Sequence, residues 1–167
     1  MPSPEAGQRG TRNAERGTTV PQRDVLLRWL EQLSLLIRRL LYGPGPVDIE
    51  LAEHHIQDAL EQHLGPMTAL VARLDVPSVA TLLHDPDRIF GYAQLVGLQA
   101  AVLAARGDPG AAALQVRAVG LAREAIARSP EPPTEWSTWL AETQAWSPGG
   151  PPADAERGTR NSEPGTI

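Results

Sequence analysis

Four side chains of the chemically versatile types recur at helical spacing: Glu50, His54, Asp58 and Glu61. Imidazole and carboxylate oxygens are ligands for zinc, iron and manganese, and the spacing puts all four on one helix face. A helical di-metal centre, however, needs Glu-x-x-His motifs with carboxylates on facing helices. This stretch has no Glu-x-x-His, and the preceding helix offers only Glu31 on its polar side. On the helical wheel the four lie opposite the apolar stripe, so they read as a solvated face with one-turn pairs. A metal- or small-molecule-binding enzyme built on this face is the alternative reading. His63 differs, because it falls inside the apolar stripe near the helix end. It reads as a half-buried imidazole hydrogen-bonded to a carbonyl, with ligand binding as its rival. The chain has no Gly-x-Ser-x-Gly elbow, no P-loop and no Gly-x-Gly-x-x-Gly after a strand. No nucleophile is paired with a base, and no cofactor is implied.

The elements that hold these residues are all helical. A first helix at about 24–42 gathers Val25, Leu26, Trp29, Leu30, Leu33, Leu36, Ile37, Leu40 and Leu41 on one broad face. Leu35 and Tyr42 land on the polar side, outside this pattern. Gly43-Pro44-Gly45-Pro46 ends the helix, with a left-handed exit expected at Gly43. Asp48 caps a second helix to Leu64. Two short helices follow, at about 67–74 and 77–84, the second ending at His84. Asp85-Pro86 opens a fifth, nearly all apolar helix that runs to about Arg106. Its polar exceptions Arg88, Gln99 and Arg106 form one strip, and Ala93, Gly97, Ala100 and Ala104 a small-residue face. Gly107-Asp108-Pro109 turns into a sixth helix, about 110–128. After the stiff Ser129–Pro133 connector comes a seventh, about 134–146. Its tryptophans Trp136, Trp139 and Trp146 either anchor a partner or fold back over the hairpin, and the second is favoured by the size of an indole. Nothing reads as a strand. The fold expected is an all-α bundle of five to seven helices spanning 22–146.

Composition narrows the function. The net charge is −5, with no lysine and no cysteine. An acidic chain is a poor nucleic-acid binder, since phosphate contacts need clustered cations. Without cysteine there is no disulfide framework and no thiolate chemistry. No run approaches the roughly 18 apolar residues that cross a bilayer. The opening residues have no apolar signal core, which favours the cytoplasm. Residues 1–21 and 147–167 hold almost no large apolar side chains and read as disordered. They share words: Arg9–Glu15 recurs as Arg157–Glu163 with one change, Ala14 to Ser162, which reads as translated repeat DNA rather than paired recognition peptides.

Leu95 to Ile126 resembles one tetratricopeptide-type helix pair. Ala100, Leu103, Gly107-Asp108 and Ala112 follow that repeat's order. Val116 stands in place of the family's large aromatic, the early tryptophan is absent, and the closing proline comes late, at Pro130. The period does not recur. Over the wider span Arg23–Arg128 the chain is similar to a bacterial family of small helical proteins of unknown function. The residues that carry this are Arg23-Asp24-Val25-Leu26 at the start and Arg106-Gly107-Asp108-Pro109-Gly110-Ala111 at the hairpin. The resemblance implies a fold and no activity. The expected function is therefore non-catalytic: a helical adaptor that binds a protein partner or itself, with Trp136, Trp139, Trp146, Arg88, Gln99 and Arg106 as candidate contact residues.

Overall fold

The computed structural model describes residues 22–148, and side chains from Val25 onward. The disorder and repeats expected in the two tails lie outside the described residues, save for the exposed pair Ser147 and Pro148. Among the described residues there are seven α-helices and no strand: α1 (Gln22–Tyr42), α2 (Ile49–Leu64), α3 (Thr68–Val71), α4 (Val76–Leu83), α5 (Pro86–Ala105), α6 (Gly110–Arg128) and α7 (Thr134–Ala145). A single 3-10 turn, Gly65–Met67, joins α2 to α3. The protein is all-α.

Local chemistry sets most of the boundaries. Asp48 Oδ1 accepts from Leu51 N at 3.0 Å and starts α2. Asp75 and Asp85 do the same for α4 and α5, each followed by proline in the first turn. These caps satisfy backbone donors that the first helical turn leaves without partners. Gly107, at φ +74°, makes the bend between α5 and α6 with the backbone freedom that only glycine has cheaply. The end of α1 differs from expectation. Gly43 does not take the left-handed conformation; its N–H donates to Arg39 O at 2.9 Å, and a Cβ there would run into that carbonyl. The left-handed region is entered instead by His84, at φ 61° and ψ −49°, where Asp85 N donates back to Leu83 O at 2.7 Å. That three-residue turn separates α4 from α5, and its strain in a non-glycine residue is of order 1–3 kcal/mol.

α5 lies at the centre, packing on α1, α2, α4 and α6. Ile89, Phe90, Leu95, Val96 and Val102 are buried on different sides of it. It is the one helix among the described residues long and apolar enough by composition to cross a bilayer, and half of that stretch is buried inside the fold, as in the core helix of a bundle. Its apolar surface is satisfied instead by its neighbours. α6 lies alongside it with Ala111, Ala118, Leu121, Ala122 and Ala125 buried. The alanines on both helices bring the two backbones close, which thickens dispersion contact along the seam. α1 packs on both α2 and α5 through Leu30, Leu33, Ile37 and Leu41, so its inner stripe is filled within one chain.

Long polar side chains on α6 tie down the shorter helices. Arg117 donates to Leu74 O at 2.6 Å and to Val71 O at 2.8 Å, the carbonyls exposed where α3 ends. Arg128 reaches Ala80 O at 3.1 Å. Gln115 Nε2 donates to Thr143 O at 2.7 Å and also to Trp146 O, holding the end of α7. Each meets carbonyls at or near a helix C-terminus; Ala80 O and Val71 O, which also accept from His84 N and Leu74 N, take the arginine as a second donor.

Candidate interaction surface

The polar face of α2 is set by its buried side. With Ala52, Ile56, Ala59, Leu60 and Leu64 turned inward, Glu50, His54, Asp58 and Glu61 are all exposed. His54 Nε2 lies 3.4 Å from Asp58 Oδ2, one turn on, and Glu61 Oε1 accepts from Gln57 Nε2 at 3.1 Å. These are surface pairs of small energetic weight. Among the described residues no group of three or more His, Asp or Glu side chains is gathered so as to hold a metal ion.

The strip Arg88, Gln99, Arg106 turns toward α2. Arg106 Nη2 meets Glu53 Oε2 at 2.6 Å, a charge-assisted bond bridging α5 and α2. Arg88 Nη2 reaches His63 O at 3.4 Å. The two arginines, expected as partner contacts, are thus engaged within the chain. Gln99 lines an open groove of about 700 Å³ between the end of α2, α3 and α5, together with Gln57, Glu61, Thr68 and Tyr92. Its polar groups are amides, a carboxylate, a hydroxyl and a phenol, with no imidazole or second carboxylate beside them to work as an acid–base pair.

His63 closes the other end of this α2–α5 contact. Its Nε2 lies 2.8 Å from Arg88 O; a carbonyl only accepts, so Nε2 carries the hydrogen. Burial holds its pKa below the ordinary histidine value, the Arg88 guanidinium adds to that, and the carbonyl bond and Asp85 oppose it. The ring lies against α5 because position 91 is glycine: a Cβ there would sit 2.8 Å from His63 Cε1. A glycine in mid-helix was the available sequence signal, but nothing local to it names its partner.

The tryptophans of α7 face inward. Trp136, 1% exposed, stacks on Phe90 with centroids 4.4 Å apart and planes 7° from parallel. Trp139 meets the same ring edge-on at 5.5 Å and lies over Gly97, where a Cβ would be 3.0 Å from its Cζ2. Trp146 is half-buried at the helix end. Trp136 and Trp139 are therefore a cover for α5 rather than an exposed anchor. The stacked and edge geometries are the ones the ring quadrupoles favour.

Exposed large apolar residues occur singly on α2 (Leu51), α3 (Leu70), α4 (Leu82) and α6 (Val116), and as a group on the outer side of α1. Leu35 is 62% exposed, Val25 59%, Tyr42 42% and Leu36 37%, and Val47 just beyond the helix is exposed as well. The two residues that fell outside the sequence pattern, Leu35 and Tyr42, belong to this surface. Val25 and Leu36, placed in the core stripe from the sequence, are corrected to it: they sit at the stripe's edge, beyond the reach of α2 and α5. Tyr42's hydroxyl pKa is raised by partial burial, against the lowering effect of Arg38. No family model matches the chain, and no curated protein or solved structure matches it significantly.

Proposed function

We propose that this chain is a non-catalytic helical adaptor of the cytoplasm, binding a protein partner along the outer face of α1. The observation that carries the reading is the cluster of exposed large apolar residues on one element, since isolated ones are ordinary and clustered ones are not. The close-packed α5–α6 pair, with its glycine bend and alanine seam, supports a tetratricopeptide-like scaffold role. The inward tryptophans and self-paired α5 arginines leave α1 as the stronger contact surface.

A photo-crosslinking amino acid at position 36, with position 116 as control, tests this in cells. Val116 is a lone apolar residue, 72% exposed, on α6. A discrete protein adduct from 36 and none from 116 is the expected result. Adducts from neither position would overturn the reading. The enzyme alternative is tested by elemental analysis of untagged protein, in which stoichiometric metal would revive the α2 face.

A further inference from the structure

The open face of α1 carries charge as well as apolar surface. At 100° per residue, Val25, Leu36, Trp29 and Leu40 fall within about 60° of one another. Val25 and Leu36 are exposed, while Trp29 and Leu40 are half-buried against the core, so this strip runs continuously from core to solvent. Next to it on the wheel come Gln32, Arg39 and Arg28, and beyond them Leu35 and Tyr42. Arg28 and Arg39 are exposed and make no ion pair among the described residues, whereas Arg106 and Arg128 pair with Glu53 and Glu124. In a chain of net charge −5, two such cations beside an apolar strip mark a local reversal of sign. They are 11 residues apart, which is three turns or roughly 16 Å along the helix.

We infer that this strip docks an acidic amphipathic helix of a partner protein. The partner's apolar stripe covers Val25, Trp29, Leu36 and Leu40, and two of its carboxylates, about three turns apart, pair with Arg28 and Arg39. This is helix-against-helix recognition by apolar anchors, with charge choosing partner and register. The inference rests on the adaptor reading and adds the chemistry of the partner. A second copy fits worse: two α1 helices laid antiparallel set Arg28 against the other copy's Arg39, guanidinium against guanidinium. A lipid surface fits worse too. Trp29 and Leu40 are half-buried against the core, which leaves only Val25 and Leu36 of this strip to enter an acyl region, and the net charge repels anionic headgroups.

The test is a displayed library of helical 18-residue peptides with a fixed leucine stripe and Glu, Gln or Lys at the flanking positions, selected on the full chain. Enrichment of Glu at two positions about 11 apart is expected, with the selected peptide binding at least roughly tenfold more tightly than its Lys counterpart. On the Arg28→Glu/Arg39→Glu double variant the preference should invert to Lys. No enrichment, or the same preference on the double variant, overturns the inference. So does a dimer in sedimentation equilibrium that Leu36→Asp abolishes, or co-sedimentation with vesicles of 30% phosphatidylserine that the double variant loses. If position 36 crosslinks to a protein while charge reversal changes nothing, the adaptor reading stands and the acidic-helix inference alone falls.

Discussion

α1 and α5 are nearly equal in length and opposite in character. α1 is strongly two-sided in sequence, yet it leaves Val25, Leu35, Leu36 and Tyr42 in water. α5 has little sidedness, yet nine of its residues are buried, on several sides. The difference lies in neighbours. α1 touches α2 and α5 on one flank only, while α5 is ringed by α1, α2, α4 and α6, with the α7 indoles closing the remainder. Periodicity states which way a helix can face; the number of elements around it decides how much of its apolar surface disappears. An apolar helix in a full ring is core, and an amphipathic helix at the rim of the fold has surface to offer.

The largest expected effect breaks α1 on its inner side. Leu33 is buried against the core, so Leu33→Asp should abolish cooperative unfolding at every protein concentration, a loss of more than about 4 kcal/mol. A folded monomeric mutant would instead make this stripe a subunit interface. The matching test at α5 removes the indole from its cover. Trp136→Ala should lower stability by about 3–5 kcal/mol, read as a reduced urea midpoint with the slope unchanged. A loss below 1 kcal/mol would mean that α7 is not part of the enclosure.

Smaller effects sharpen the comparison where α5 meets α2. Gly91→Ala should cost about 1–3 kcal/mol, because its methyl displaces the His63 ring. The same contact makes stability depend on pH. His63 is held below its ordinary pKa in the folded chain, so the unfolded chain takes up the proton first as pH falls. Stability from this residue is therefore complete above the unfolded value of about 6.5, declines as pH drops through it, and levels off below the folded value. His63→Gln should flatten that decline in denaturation curves taken between pH 7 and 5; an unchanged slope would place its origin elsewhere. Least of all should happen on the outer side of α1. Leu36→Ser is expected to shift stability by no more than about 0.5 kcal/mol, and a larger loss would show that this position is covered.

Much of the fold was legible because it is written locally. Asp48, Asp85-Pro86 and Gly107 each act within three or four residues, through caps and backbone conformation, so helix boundaries could be read along the chain with errors of a residue or two, save that the third helix, expected to about Leu74, ends at Val71. Gly43 and His84 exchanged their expected conformations because a left-handed exit depends on how the next helix must be aimed, which is a tertiary demand. The candidate surface was less legible. Sequence alone set out the amphipathic stripe of α1 and flagged Leu35 and Tyr42 as outside it, and it placed the α2 carboxylates and His54 on a polar side. Tertiary structure decided that Arg106 meets Glu53, 53 residues away, that Gln115 holds the end of α7, and that Trp136 lies on Phe90. No local pattern encodes these pairings. A side chain's period fixes its direction from its own helix axis, whereas its burial and its partner are fixed by which other helices arrive there.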